Sequence, residues 1–502
     1  MEATDGRAAI PVARPRLEDE SWSDLGIASG LATVDSTVSA AGGRALKRRL
    51  RGDAGDEASA GDFRTLIRAL TGDHAGRGAL HAALVRKFEN ERVLDGGRSV
   101  WDGAVDTPRA LAAGAIIVPP FFVIALALAP FHPAALGWFI IVALLGTVVR
   151  AKMWTEIDAA RRSLRAAGEL VAIAGEIGAL PVIRGVPDVA RALRTDDAPR
   201  VAGVQRAFRA FDRKDENPGR IFAEYTSLLF WWDVPLLIYG LAKVRQADAA
   251  LGRLSHAVGD CDAAAAFAAW RASESAWCPW STEADVLHMS AGRHPAVVAA
   301  DPFDATLRAG VVSLVTGRHG VGKSTLLRAL GFNVALAMAT DTAWAAQLIA
   351  PRLRIRTTFT HDDQPTGTAS LFESELIRLA DILADAAGRD RLLILLDEPL
   401  RGTNPEERRA ITIATLEHLA RHGHYVAATT NDPFIVKAIG GETEAFAVVR
   451  ERRDDGRMVR TVKRGAQVER RAIGLLAERG APAWVIERAT TLADEQLARD
   501  DL

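Results

Sequence analysis

The most constraining feature of the sequence is the segment 317–324, which reads G-R-H-G-V-G-K-S and satisfies G-x-x-x-x-G-K-[ST] in full. A β-rich apolar run at 311–315 precedes it, and a helical pattern at 325–330 follows it. Glycines let the backbone curl so that N–H groups face phosphate oxygens, and the lysine adds a mobile positive charge. This setting predicts a site for ATP or GTP. The residues expected to bind the nucleotide are Gly317, Arg318, His319, Gly320, Val321, Gly322, Lys323, Ser324 and Thr325.

A second run, R-L-L-I-L-L-D-E at 391–398, is a continuous apolar strand that ends in two carboxylates. Such a strand is typical of a parallel sheet buried on both faces, and its end reaches the phosphate site. Asp397 and Ser324 are predicted to hold Mg²⁺, and Glu398 to orient and deprotonate the attacking water. The alternative is an ordinary strand with a solvated acidic end. Because a phosphate loop accompanies it, we favour ATP hydrolysis.

The residues after the acid pair narrow the family. Segment 397–404, D-E-P-L-R-G-T-N, resembles the D-E-x-x-R-G-T-S run of MutS-type ATPases. Four further segments resemble that family in the same order: R-H-P at 293–295, G-F-N-V-A-L-A at 331–337, S-L-F-E-S-E at 370–375 and the helical segments within 473–489. The resemblance covers about 290–495 and is weaker at 23–72. It implies an α/β P-loop NTPase domain of the ABC/MutS-like type, with a mostly parallel sheet, preceded by an all-α core and lever domain.

The resemblance also implies a mechanism. In MutS-type dimers the signature serine of one subunit reaches the γ-phosphate held by the other, so Ser370 would act in trans. The loop 402–404 would lie at the same interface, which gives a homodimer with composite ATP sites. The alternative for Ser370 is a helix N-cap, with Glu373 completing a capping box. The two roles are compatible.

Two positions depart from the family pattern. The family A-T-H becomes T-T-N, which puts Asn431 in the place of a histidine. We expect Asn431 to be catalytic together with Lys323 and Glu398. An amide can bond a phosphate but carries no charge and relays no proton, so slow hydrolysis is expected. His319 replaces the usual asparagine of the loop. His361 is more simply a solvent-facing loop histidine than a site residue.

The segment 110–149 contains no Asp, Glu, Lys or Arg over 40 residues. As helix, residues 110–130 would measure about 31 Å and residues 134–149 about 24 Å, against a hydrocarbon core of roughly 30 Å. We therefore predict a transmembrane helical hairpin over 109–150 that contacts a lipid bilayer and interrupts the all-α domain. A buried helical pair is the alternative. The apolar stretch 226–242 is expected to be a core helix and not a third span, because its central aspartate is costly in lipid.

The flanks of the hairpin set an expected orientation. Arg109 precedes it and Arg150 and Lys152 follow it, so both flanks should be cytoplasmic. This predicts an inner (cytoplasmic) membrane protein whose N-terminal region and ATPase domain face the cytoplasm. The predicted domains are a polar tail (1–22), a first helical core part (23–108), the hairpin (109–150), a second helical core part (151–285), the ATPase domain (286–465) and a helical dimerisation tail (466–502).

The composition of the chain is relevant to whether it binds DNA. The net charge of −1 lacks the basic bias of a nucleic-acid-binding chain, and the two cysteines make no disulfide framework. The basic run 47–51 is more simply a solvated helix face than a DNA contact. Because 22 residues precede the predicted core, we expect no mismatch-reading domain of the MutS type. Binding of double-stranded DNA is thus implied by the resemblance alone.

Three hypotheses follow. The first is a membrane-anchored MutS-like ATPase that couples ATP binding and hydrolysis in a dimer to DNA binding, in mismatch repair or recombination. The second is a MutS-derived, ATP-driven switch that acts on a membrane or protein partner without DNA. The third is a transport ATPase, which the absence of an L-S-G-G-Q signature disfavours.

Overall fold

The computed structural model describes residues 17–500 apart from 53–56, 95–119, 122, 125–126, 129, 132–133, 195–196, 213–230, 232, 275–276, 283–284, 295–301, 319, 360–370, 402, 440–442, 453–457 and 466–471. The chain divides into two compact units. The α/β unit comprises Met1–Val34, Arg48–Ala60 and Ser273–Leu502, and the helical unit comprises Asp35–Lys47 and Gly61–Ala272.

The described helices are, in chain order, α1 (Asp19–Asp24), α2 (Ile27–Ala32), α3 (Ala40–Arg51), α4 (Glu57–Gly72), α5 (His74–Leu94), α6 (Ala134–Lys152), α7 (Trp154–Ala179), α8 (Pro181–Arg184), α9 (Pro187–Arg194), α10 (Ala198–Asp212), α11 (Asp233–Gln246), α12 (Asp248–Ser273), α13 (Lys323–Thr340), α14 (Leu371–Ala386), α15 (Pro405–Arg421), α16 (Pro433–Ala438), α17 (Ala472–Glu478) and α18 (Ala483–Asp500).

The helical unit is built around α7. Its buried residues recur every three or four positions, as in Ile157, Ala160 and Leu164, which is the apolar stripe of an amphipathic helix. Close packing against α10 depends on a small residue, because a Cβ at Gly168 would lie 2.1 Å from the Phe208 ring. A side chain there would push the two helices apart.

The described strands are β1 (Cys278–Ser281), β2 (Val286–Gly292), β3 (Phe303–Arg308), β4 (Val312–Thr316), β5 (Thr342–Ala343), β6 (Gln347–Ile349), β7 (Arg354–Phe359), β8 (Leu392–Asp397), β9 (Tyr425–Thr429), β10 (Thr443–Arg452) and β11 (Met458–Arg464). They form two sheets. The larger has the order β11-β10-β4-β9-β8-β7, and the smaller has the order β3-β2-β6-β1-β5.

The larger sheet positions the candidate site. Its neighbours pair in parallel from β10 to β7, and only β11 is antiparallel. Strands β4 and β9 are buried along their whole length, and β8 is buried except at its last residue, Asp397. Parallel strands of this kind end at one edge of the sheet, so the carboxyl ends of β4, β8 and β9 lie side by side.

The prediction of a transmembrane hairpin over 109–150 is wrong. Within the part of the chain that the structure describes, no helix is both long enough and apolar enough to cross a bilayer. Much of the predicted first span (110–130) lies outside the described residues, whereas the second is α6. This helix belongs to the helical unit: its residue Arg150 is buried and bound to Asp233 of α11. The predicted fold class is therefore wrong in its interrupting hairpin. The predicted inner-membrane localisation, which depended on that hairpin, is wrong as well.

Helix α6 nevertheless presents an apolar surface. Several of its large side chains are exposed, among them Trp138, Leu144 and Leu145. The sequence-based fold class also omitted the smaller sheet, which is mixed, since β1 pairs with β6 in parallel and with β5 antiparallel. Of the stretch 226–242, the structure describes Trp231 and the residues from Asp233 onward, and the latter begin α11.

Candidate nucleotide-binding site

The segment after β4 is shaped by three glycines with positive φ. Gly317 has a φ of 135°, Gly320 of 74° and Gly322 of 110°, all in a region that glycine adopts readily. At Gly317 a Cβ would also lie 2.6 Å from the Val448 carbonyl oxygen of β10, so the loop passes too close to the sheet for a side chain. Gly322 is the N-cap of α13. The loop therefore curls over the amino end of this helix.

Lys323 opens α13 and is 7% exposed. Its Nζ donates to the Gly317 carbonyl oxygen at 2.8 Å and to that of Arg318 at 3.4 Å. Burial lowers the pKa of the ammonium group, and the carboxylates of Glu398 and Asp397 act in the opposite direction. The site thus holds a buried cation facing two acids. Ser324 and Thr325, in the first turn of the same helix, are half-buried.

Asp397 is the last residue of β8, and a neighbouring strand orients it. The hydroxyl of Thr429, at the end of β9, donates to Asp397 Oδ1 at 2.6 Å. The same hydroxyl oxygen accepts the Glu398 N–H at 3.0 Å. One buried side chain therefore orders both acids. Sequence reasoning missed Thr429, although its place at the end of an apolar run, two residues before Asn431, was a usable signal.

Glu398 lies on strained backbone. Its φ is 45° and that of Leu400 is 59°, values that L-residues with side chains seldom adopt. Asn431 Nδ2 donates to Glu398 Oε1 at 2.8 Å, and Arg401 Nη1 lies 3.7 Å from Glu398 Oε2. One carboxylate oxygen is thus held by a neutral amide, and the other lies 3.7 Å from a mostly exposed arginine.

Glu375 of α14 forms a hydrogen bond with the backbone of the turn 398–400. Glu375 Oε1 accepts the Leu400 N–H at 2.6 Å. Burial raises the pKa of Glu375, while the Leu400 N–H and the charge of Arg378 act to lower it. Sequence reasoning placed Glu375 inside a family motif without giving it a role.

A cleft of about 370 Å³ opens beside Glu398 and Asn431. Its wall includes Asp432, which receives bonds from Arg409 Nε at 2.8 Å and Arg408 Nη2 at 3.3 Å. Burial alone would raise the pKa of Asp432, but the Arg409 bond, the Phe434 N–H and Arg408 hold it below its usual value. The remaining lining residues are Pro399, Arg401, Thr430, Pro433 and Ile435.

Several predicted residues cannot be placed. His319, His361, Ser370 and residue 402 lie outside the described part of the chain. The loop 402–404 was predicted to lie at a dimer interface. Its last residue, Asn404, is the N-cap of α15, and Asn404 Oδ1 accepts the Glu406 N–H at 3.0 Å. The structure therefore brings together Lys323, Asp397, Glu398 and Asn431, at the ends of β4, β8 and β9.

The donor set suits a hard cation that keeps water ligands. Among the described residues no group of three or more His, Cys, Asp or Glu side chains could enclose a metal. Asp397 offers a carboxylate and Ser324 a hydroxyl. Mg²⁺ in nucleotide sites takes one or two protein oxygens and draws its other ligands from water and phosphate. The residues present fit that pattern.

The same part of the chain is similar to known proteins. Residues 313–497 match the family model described as MutS domain V. The chain is 31% identical over 267 residues to a DNA mismatch repair protein MutS of Cereibacter sphaeroides, an alignment that spans 49% of this chain and 30% of the relative. It is 33% identical over 211 residues to the MutS of Haloquadratum walsbyi, covering 41% of this chain and 22% of the relative.

A third relative is the DNA mismatch repair protein MutS 2 of Halobacterium salinarum, 31% identical over 276 residues, with 51% of this chain and 31% of the relative aligned. The chain thus covers less than a third of the length of each of these curated relatives. Domain V contains the phosphate loop and the Asp397–Glu398 pair described above. On these matches, residues 313–497 are similar to MutS domain V, and about half of the chain is similar to MutS proteins.

Proposed function

We propose that this chain is an ATPase that binds ATP with Mg²⁺ at segment 317–325 and hydrolyses it with Glu398 as the base. The observation that carries the proposal is the geometry of Glu398. Its carboxylate lies at a strained turn beside a buried lysine, is oriented by Asn431 through one oxygen and keeps the other accessible on a cleft.

Each residue then has a chemical task. The backbone N–H groups of the loop and Lys323 would bind the phosphates. Ser324 and Asp397 would hold Mg²⁺, which neutralises the charge that develops on the phosphate oxygens. Glu398 would accept the proton of a water whose oxygen attacks the γ-phosphorus, and ADP would leave with the electrons of the broken P–O bond.

Asn431 is expected to slow rather than prevent this reaction. Its amide aligns Glu398 by donating to Oε1, but it stays neutral and gives no proton to the transferred phosphate. Turnover should therefore be limited by charge stabilisation, because the site lacks the positive charge that a protonated histidine supplies.

We also propose that two copies form composite sites, with Ser370 acting in trans, and that ATP binding is coupled to double-stranded DNA. The MutS-like family match supports a dimer. The C-terminal helices support it as well, because they expose Leu476, Trp484 and Leu492 to solvent. Support for DNA comes from the relatives, which are named DNA mismatch repair proteins.

The chemistry is tested by measuring ATP affinity and steady-state turnover in three variants. Glu398→Gln should keep ATP affinity and lose about 10²–10⁴-fold in kcat, the usual contribution of a general base. Lys323→Ala should lose ATP affinity itself. Glu407→Gln is the matched control, since this acid is exposed on α15 and should leave both quantities unchanged. Normal turnover in Glu398→Gln would exclude this residue as the base.

The coupling is tested by binding the full chain to homoduplex, mismatched and branched DNA, with and without ATP, over a salt series. Binding that weakens with salt and responds to ATP would support a DNA-acting protein, because counterion release governs phosphate contacts. An intact ATPase that binds none of these DNAs at low salt would rule out the DNA-coupled function.

A further inference from the structure

The first helix of the α/β unit covers the edge of the larger sheet. Strand β7 is the last in the described strand order, so its outer N–H groups need partners. Ser21 Oγ accepts the Thr357 N–H at 3.1 Å, and Asp24 Oδ2 accepts the Phe359 N–H at 3.2 Å. Leu17 forms a parallel bridge with Ile355 at this edge, and beyond it the side chains of α1 take the place of a further strand at Thr357 and Phe359.

Asp24 does more than cover this edge. Its side chain is completely buried, and its Oδ2 also accepts from the Thr357 hydroxyl at 2.6 Å and from Arg378 Nη2 of α14. Arg378 Nη2 donates in addition to the Thr357 carbonyl oxygen at 3.2 Å. A buried carboxylate is stable only when it is paired and hydrogen-bonded. Asp24 thus fixes where α14 lies against the end of β7.

Arg378 connects this point to the catalytic turn. It lies three residues after Glu375 on α14, a spacing that brings two side chains to one face of a helix. Glu375 in turn accepts the Leu400 N–H at 2.6 Å. Leu400 is fully buried with a φ of 59°, two residues after Glu398. Strained backbone of this kind persists only where its surroundings determine it.

We propose that Asp24, Arg378 and Glu375 form a positioning chain that holds the turn 398–400, so that the N-terminal helix α1 is required for ATP hydrolysis. This inference rests on the proposed function of Glu398 as the base. Among the described residues, the hydrogen bonds of their side chains go to Thr357, Phe359 and Leu400 and not to Lys323, Asp397 or Glu398. The three residues act through Leu400, whose N–H must point towards α14 if the Glu398 carboxylate is to face the attacking water.

The opposite end of the same strand and helix provides a matched reference. Asp385, near the end of α14, binds Arg356 Nε at 2.6 Å and Arg354 Nη2 at 3.2 Å at the start of β7. Its side chain is 6% exposed, so this cluster is nearly as buried as that of Asp24. It joins the same two elements but lies at the end of β7 that is remote from the catalytic turn. It should contribute to stability without influencing the turn.

The decisive test uses two conservative variants of Glu375 in the full chain. Glu375→Gln keeps the length of the side chain and an oxygen acceptor for the Leu400 N–H, so kcat should stay within about threefold of the wild type. Glu375→Asp keeps the charge but is one methylene too short, so kcat should fall about 10–100-fold, the scale of a 1 Å misplacement. The Kd for ATP should be unchanged in both. The reverse order of kcat values, or equal values, would overturn the proposal.

A second pair of variants tests the N-terminal end of the chain. Asp24→Asn and Asp385→Asn remove the same charge from comparably buried sites, and both should lower the melting temperature. Only Asp24→Asn should also reduce kcat, by about tenfold, with the Kd for ATP retained. Equal kcat values in the two variants would refute the role of Asp24. If Glu398→Gln retains full turnover, the proposed function fails; if it does not but Glu375→Asp does, only this inference fails.

Discussion

Two carboxylates, the buried Asp233 of the helical unit and the half-buried Glu398 of the α/β unit, are held in opposite ways. In the helical unit, Asp233 receives both Nη atoms of Arg150, at 3.0 and 2.8 Å, and Arg161 Nη2 at 2.7 Å. In the α/β unit, Glu398 receives one bond from the neutral amide of Asn431, and its nearest arginine is 3.7 Å away. Burial would raise the pKa of Asp233, but the bonds and charges of Arg150 and Arg161 lower it.

This difference separates a structural carboxylate from one that is suited to act as a base. Asp233 accepts three bonds from two arginines, joins α6, α7 and α11, and has a side chain that is only 6% exposed, so it is not available to a substrate water. A catalytic base needs the reverse: one oxygen held for orientation and one accessible. Removing one member of a saturated pair is costly, because it leaves an uncompensated charge in a poorly solvated site.

The largest expected effect on folding follows from this contrast. Asp233→Asn should destabilise the protein by about 3–5 kcal/mol, because Arg150 would be left buried without a counter-charge. Glu398→Gln should change the free energy of unfolding by less than about 1 kcal/mol, since it breaks no saturated ion pair. Urea denaturation measures both. Asp158→Asn is the control: its exposed pair with Arg162 should contribute only about 0.5 kcal/mol. Equal losses in Asp233→Asn and Glu398→Gln would contradict the distinction.

A smaller effect is expected on ATP affinity when the backbone of the phosphate loop, and not a charged side chain, is changed. Gly317→Ala should weaken ATP binding by about tenfold or more, because a Cβ meets the Val448 carbonyl oxygen and the φ of 135° is unfavourable for alanine. Isothermal titration with ATP measures the loss. Gly61→Ala is the control, since among the described residues no atom beyond the backbone of its own turn of α4 lies within 4 Å of an added Cβ, and alanine favours helix. An unaltered Kd in Gly317→Ala would mean that the loop can shift without cost.

The smallest effect should appear in the pH dependence of stability. The folded pKa of Asp233 is below its ordinary value of 3.8, so its stabilisation is fully present above that value and is lost as pH falls through the folded pKa. The unfolding free energy of the wild type should therefore drop more steeply below about pH 4 than that of Asp233→Asn. Urea denaturation at a series of pH values tests this. Parallel curves for the two proteins would show that the carboxylate titrates alike in both states.

Part of the fold was accessible from the sequence because its signals are local. The glycines of the phosphate loop, the lysine after them and the apolar run before Asp397 are each read within a few residues. The hairpin prediction failed on the same kind of evidence. Forty uncharged residues satisfied a length criterion, but nothing within that run revealed that Arg150 pairs with Asp233, 83 residues later. A basic residue expected to mark a membrane flank is instead part of a protein core.

The residues of the candidate site also fall into those that local motifs identified and those that they did not. Lys323, Asp397, Glu398 and Asn431 were identified from motifs and lie together at the strand ends. Thr429 and Glu375 were not, because their roles depend on which strand neighbours β8 and on how α14 approaches the turn. Those are pairings across 31–32 residues in the case of Thr429 and 25 in the case of Glu375.

The glycine-rich loop, the acid-ended strand and the family resemblance can be read from the sequence alone, because backbone curling and strand burial follow from residue types that are adjacent in the chain. Which carboxylate is buried between arginines and which is left accessible emerges only from the folded chain. That choice depends on partners that are distant in sequence, such as Asp24 for Arg378 and Asp233 for Arg150. The state of a buried charge is set by the groups that surround it in space, and no local pattern encodes them.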